Sequence, residues 1–159
     1  MVTVKKNLSE YDKSSIPNAV DFRIGIVISD WNSEITHKIL SGTIKTLNDC
    51  GVSSNNILLK HVPGSFELIY AAKRLQAKNL DVVIAIGCVI KGETAHFEYI
   101  CQGVTNGIKD LNVLNDVPVI FCVLTDITID QSIDRSGGKL GNKGVEAAIS
   151  ALRMAGLNI

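Results

Sequence analysis

One stretch narrows the choice of fold more than any other. Residues 82–90 read VVIAIGCVI, an apolar run that does not alternate. It is far shorter than the roughly 20 apolar residues that a membrane-spanning helix needs. A strand with one wet face would show polar side chains at every second position. A strand that is apolar throughout has protein on both sides, which is the situation of a parallel sheet covered by helices on each face.

The rest of the chain is patterned to supply such a sheet. RIGIVISDW predicts a strand from Ile24 to Ile28, NILLKHV a second, and VPVIFCVL a fourth that reads as buried. Between them the apolar spacing turns helical. Ile35, Ile39, Leu40, Leu47 and Cys50 predict one helix, with Ser33 as its N-cap and Gly51 as its stop. SFELIYAAKRLQAK predicts another, with Leu68, Ile69, Ala72 and Leu75 on one face. Phe97, Ile100, Cys101, Val104, Ile108 and Leu111 mark a third. TIDQSIDRS reads as a short helix, GGKLGNKG as a glycine-rich turn, and Val145, Ala148, Ile149 and Leu152 mark the last helix. This alternation predicts one α/β domain of three layers, α/β/α, with a four-stranded parallel sheet and right-handed crossovers. The domain spans residues 22–159, and residues 1–21 read as an N-terminal arm placed to pair with a neighbouring subunit.

Composition excludes several function classes. Lys and Arg total 16, Asp and Glu also 16, so there is no basic surplus to bind nucleic acid. No signal-like N-terminus or membrane span is read, and the expected location is the cytoplasm. Cys50, Cys88, Cys101 and Cys122 form no C-x-x-C pair and lie in apolar segments, which predicts free thiols in a reducing compartment.

Ligands of open parallel sheets bind beyond the carboxyl ends of the strands. The first strand leads to Trp31-Asn32, the second to Pro63-Gly64-Ser65-Phe66-Glu67, and the third, through Cys88-Val89-Ile90, to Gly92-Glu93-Thr94-Ala95-His96. Three of the eight aromatic residues, Trp31, Phe66 and Phe121, fall at or near this rim, as a flat conjugated ligand would want. Gly92-Glu93-Thr94 offers a turn followed by free N–H groups at a helix start, an arrangement suited to an anion. His96 then lies where a proton carrier would be useful. Each feature also has a plainer reading: Trp31 as a plug on the sheet end, Phe66 and Phe121 as packing, Thr94 as a cap, His96 as a solvated side chain. Arg135 and Lys143, among the glycines of DRSGGKLGNKG, read by spacing alone as solvated charges at a hinge. His37 reads as a helix-surface residue and His61 as strand-associated; a His61/His96 pair would lack the third ligand of a catalytic zinc, so no metal site is expected.

Together VPGSFELIYAAKRL, IGCVIKGETAHFEYIC, PVIFCVLT, DQSIDRSGGKLGNKG and EAAISALRM give a resemblance to the 6,7-dimethyl-8-ribityllumazine synthases of riboflavin biosynthesis, over about residues 22–157. The resemblance implies a flavodoxin-like lumazine synthase fold and the condensation of 5-amino-6-(D-ribitylamino)uracil with 3,4-dihydroxy-2-butanone 4-phosphate, with no cofactor or metal. It implies stacking of the pyrimidine on Trp31 beside Asn32, a ribityl site at Ser65, Phe66 and Glu67, and a pyrimidine pocket lined by Cys88, Val89 and Ile90. Phosphate would rest on Glu93, Thr94 and Arg135, and His96 would be catalytic. Phe121, Arg135 and Lys143 would complete the site from the next subunit of a pentamer. Twelve pentamers form an icosahedral shell in some members, and riboflavin synthase is a further implied partner. Cys88 and Cys122 depart from the family's usual residues. The competing readings are a protein that only binds a flavin or lumazine, and a purely shell-forming protein.

Overall fold

The computed structural model describes residues 7–157. Four strands, β1 (Ile24–Ser29), β2 (Ile57–Val62), β3 (Val82–Ile90) and β4 (Val119–Asp126), form one parallel sheet in the order β2-β1-β3-β4. Helices α1 (Ser33–Asp49), α2 (Leu68–Gln76), α3 (His96–Leu114), α4 (Ile129–Arg135) and α5 (Lys143–Ala155) alternate with them. This is the expected three-layer α/β/α fold with the flavodoxin-like strand order.

The central strand shows why the apolar run was needed. Val82, Ile84, Ile86 and Cys88 pack into a core with Ile35, Ile39 and Leu47 of α1 and Ala148 and Leu152 of α5. Val83 and Ala85, pointing the other way, join Leu68, Ala72 and Leu75 of α2 and Val104, Ile108 and Leu111 of α3. Each face of β3 therefore has its own core, and neither face tolerates a polar side chain.

The element ends differ in places from the sequence reading. Asn32, not Ser33, is the N-cap of α1, and it takes the left-handed conformation (φ 59°, ψ 43°) without a side-chain cap bond. Asparagine tolerates that region better than other residues with a Cβ. Gly51 does stop α1 as expected: its φ is 99°, and the bonds Gly51 N–H to Asn48 O and Val52 N–H to Leu47 O close a Schellman turn. Helix α2 starts at Leu68, because Ser65, Phe66 and Glu67 form a turn first. The glycine-rich turn is a small hairpin, β5 (Ser136–Gly138) with β6 (Gly141–Asn142).

The fourth strand is mostly buried, as expected, with two exceptions. β4 lies at the edge of the sheet, and there Phe121 and Thr125 are exposed. Its two faces are still covered within the chain, Cys122 and Leu124 by one core and Val119 and Val123 by the other, and only Phe121 and Thr125 are left open. Residues 7–21, the described part of the expected arm, run along their own chain. Leu8 N–H donates to Leu140 O (2.8 Å), Arg153 donates to Ser15 Oγ (2.6 Å), and Ala19 enters the core. Residues 1–6 of that arm lie outside the described residues.

Candidate functional site

The strand order reverses between β1 and β3, and a cleft of about 750 Å³ opens there, beyond their carboxyl ends. That volume lies within the ordinary range for small-molecule sites, about 300–1,000 Å³. Three chain segments build most of it, and Ile129 of α4 adds to its wall.

The first is the turn after β1. Asn32 donates from Nδ2 to the carbonyl of Cys88 on β3 (3.0 Å), so one side chain spans the point of reversal. Its left-handed backbone places Trp31 at the rim, and Trp31 is 72% exposed. A plug on the sheet end would be covered, so that reading fails. The backbone of this turn is tied to the second segment by Asp30 N–H to Val62 O (2.8 Å) and Trp31 N–H to Pro63 O (3.1 Å).

The second segment is Gly64-Ser65-Phe66-Glu67. Ser65 is buried, and its hydroxyl has no hydrogen-bond partner although it belongs to the cleft lining. An unpaired buried hydroxyl costs about 1–3 kcal/mol, so a ligand group that met it would regain that energy. Phe66 is half exposed and lies over Gly103 of α3, where a Cβ would come within 2.8 Å of the ring.

The third segment runs from the end of β3 into α3. Cys88, Val89 and Ile90 line the floor. Burial pushes the Cys88 thiol up, partly offset by its contact with the Ser132 hydroxyl, so it is a neutral packing group and not a nucleophile. Ser132 in turn donates to Asp126 (2.8 Å). Gly92 and Thr94 line the cleft, and Glu93 lies between them in the chain. Thr94 is not the N-cap: Ala95 holds that position, with no side-chain cap bond, while Thr94 Oγ1 accepts from His96 N–H at 3.4 Å. Beyond that one contact, the side chain of the N-cap residue satisfies none of the first-turn N–H groups, which lie at the positive end of the helix dipole. Gly92 was read as a sharp-turn glycine, but its φ is not positive and no atom lies within 4 Å of where a Cβ would stand. Exposed His96 opens α3 and lines the same cleft.

Sequence reasoning missed three parts of the lining. Phe97 and Ile100 were read only as helix-to-sheet packing, and Ile129 of α4 was not singled out. Ile129 is 55% exposed, and no periodicity marks an apolar residue that faces a cleft instead of a core.

Phe121, Arg135 and Lys143 do not join this cleft. Phe121 faces outward from β4. Arg135 and Lys143 line a second groove of about 990 Å³, together with Asp126, Glu146 and Arg153. There Arg135 donates to Gln131 O (3.0 Å) and lies 3.7 Å from Asp126, while Lys143 pairs with Glu146. A guanidinium has five donors, so Arg135 retains capacity for an anion.

Comparison with known proteins gives a consistent result. The family model described as 6,7-dimethyl-8-ribityllumazine synthase matches residues 21–158. A protein of that name from Flavobacterium psychrophilum is 64% identical over 156 residues, covering 98% of this chain and 82% of its own length. Relatives of the same name from Christiangramia forsetii and Porphyromonas gingivalis are 58% and 56% identical, each covering 99% of this chain and 95% and 98% of their own lengths.

Proposed function

We propose, from the premise that the chain belongs to the 6,7-dimethyl-8-ribityllumazine synthase family, that it catalyses this family's reaction in riboflavin biosynthesis. It condenses 5-amino-6-(D-ribitylamino)uracil with 3,4-dihydroxy-2-butanone 4-phosphate to 6,7-dimethyl-8-ribityllumazine. The observation that carries this reading is the meeting, in one cleft, of an uncovered Trp31 ring and an uncapped helix start that bears His96.

The reaction joins two molecules, so holding them in register supplies much of the acceleration. The pyrimidine stacks on Trp31, and the floor formed by Cys88, Val89 and Ile90 fixes its depth. Ser65, Phe66 and Glu67 receive the ribityl chain, with the unpartnered Ser65 hydroxyl as a ready donor and acceptor. The phosphate of the second substrate sits on the backbone at Glu93 and Thr94, where the free N–H groups of α3 point at it. The 5-amino group attacks the ketone, and loss of one water gives an imine. Removal of a carbon-bound proton then expels phosphate. Phosphate loss leaves an enol, which takes a proton at its terminal carbon to become a ketone. The ribityl-bearing nitrogen closes the ring on that new carbonyl, and a second water leaves. His96, in the first turn of the same helix, carries protons between these atoms; such a group typically contributes about 100-fold or more.

A single chain lacks part of this machinery. Phe121, Arg135 and Lys143 lie apart from the cleft, which supports a site completed by the next subunit of a homopentamer, with Arg135 on the phosphate. The exposed apolar side chains of Phe121 on β4, Ile127 after it, and Ile129 and Ile133 on α4 suit a subunit contact. A pentamer, or a shell of twelve pentamers able to associate with riboflavin synthase, is the assembly this reading favours. An arm role toward a neighbour for the N-terminal segment, residues 1–21, belongs to the same reading, alongside the contacts that residues 7–21 make with their own chain. A cytoplasmic location fits four free cysteines. None of the described helices is long and apolar enough to cross a membrane.

The test is direct. The two substrates are incubated with the purified protein, and the fluorescence of the lumazine is followed. Product formation is expected; binding of the pyrimidine or of lumazine without turnover would replace this reading with that of a binding protein.

A further inference from the structure

A second cluster of chemically capable side chains lies beside the cleft and plays no part in the reaction described. Asp30, His37 and His61 are exposed, and each brings one ligand atom to within 4.8 Å of the others. Sequence spacing did not reveal them, because three different elements supply them. Asp30 follows β1, His61 stands opposite Ile28 of β1 in the β1–β2 register, and His37 is in the second turn of α1. His61 Nδ1 lies 2.7 Å from Asp30 Oδ1. The His37 ring meets His61 edge to face, with centroids 6.1 Å apart.

The backbone beneath two of these ligands is fixed. Asp30 and Trp31 donate N–H groups to Val62 and Pro63, tying the end of β1 to the end of β2. A hydrogen bond already holds the Asp30 carboxylate against the His61 imidazole. An exposed ion pair of this kind contributes about 0–1 kcal/mol and has no need of a second imidazole. Two imidazoles and one carboxylate, however, are the three-ligand set of many zinc sites, and imidazole favours first-row transition metals over magnesium or calcium. Around a cation bound at about 2.0–2.2 Å, tetrahedral ligand atoms stand about 3.3–3.6 Å apart. Exposed side chains can close the remaining ångström or so by rotating about their own bonds.

We propose that Asp30, His37 and His61 form a site for a first-row divalent cation of the zinc class, with the remaining coordination positions open to water. The site is separate from the condensation chemistry and stands or falls independently of it. Occupied, it pins the β1–α1 turn to β2 directly behind Trp31.

The test uses the full-length, untagged protein and Co²⁺ as the probe. Trp31 is the sole tryptophan and is the neighbour of Asp30, so its fluorescence should be quenched as the site fills. One Co²⁺ per chain is expected, with visible ligand-field bands, no thiolate charge-transfer band, and displacement by Zn²⁺. His37→Ala and His61→Ala should each weaken binding by about 100-fold, the upper end of what removing even an outer-shell partner costs, and Asp30→Asn by about tenfold. His96→Ala should bind as the parent does. Both imidazole variants change exposed side chains, and circular dichroism checks that they fold. Absence of binding by the parent, unchanged binding in His37→Ala and His61→Ala, loss of binding in His96→Ala, or a thiolate band would each overturn the proposal.

Discussion

His96 sits on a helix start whose N-cap residue, Ala95, makes no side-chain cap bond, so its part in the reaction is separable from binding. The N–H groups that would hold phosphate belong to the backbone and survive a change of side chain. His96→Ala is therefore expected to lower kcat by about 100-fold while leaving pyrimidine affinity close to that of the parent. Single-turnover kinetics beside equilibrium titration with the pyrimidine would separate the two, and an unchanged kcat would remove His96 from the mechanism. Cys122 illustrates a residue whose effect is on stability. It is fully buried, and desolvation pushes its thiol up to about 12 from an ordinary value of 9.0. The unfolded chain loses this proton near pH 9 and the folded chain does not. Between those values the folded state binds more protons, so stability is fully present below pH 9 and falls as pH rises toward 12. Urea midpoints at pH 8 and pH 10.5 should show that decline, and Cys122→Ala should show less of it. An equal decline in both proteins would assign the effect to other groups.

At the scale of elements, the contact between the turn before α2 and helix α3 decides where Phe66 stands. Gly103 permits it, since a Cβ there would approach the ring to 2.8 Å. Gly103→Ala should raise helix stability by up to about 1 kcal/mol while pushing a half-exposed ring off its seat. The expected outcome is a thermal midpoint that is level or higher, together with weaker binding of the pyrimidine. Thermal melts and titration on the same sample would check it, and unchanged binding would place Phe66 outside the site. The elements themselves were largely legible. β3 was readable because both its faces are covered inside one chain. β4 was readable as buried for the same reason, but its edge position, which leaves Phe121 and Thr125 exposed, was not, because strand order is not written in the apolar pattern. The candidate site was legible where it follows strand ends, as at Trp31, Ser65 and His96. It was illegible at Asp30, His37 and His61, which meet only through the register of β1 with β2 and the packing of α1. Ser33 was a reasonable cap by residue type, but the left-handed turn at Asn32 started the helix one residue earlier than a capping hydroxyl would have.

For the whole molecule, the division of candidate residues between two separate grooves has a measurable consequence. If the site forms between subunits, His96→Ala and Arg135→Ala damage opposite sides of it. Co-assembly of the two inactive proteins in equal amounts should leave about one interface in four with both sides intact, and so restore about a quarter of the parent activity. Activity no greater than that of either variant alone would place the whole site within one chain. The clasp from Asn32 to the Cys88 carbonyl bears on a different question. It joins the loop that carries Trp31 to the strand that leads into α3, so the two jaws of the cleft are set at a fixed gap before any ligand arrives. Such a cleft acts as a gauge: a molecule whose ring and anionic end are spaced wrongly finds no give in it, and rejection is decided by length before any chemistry begins.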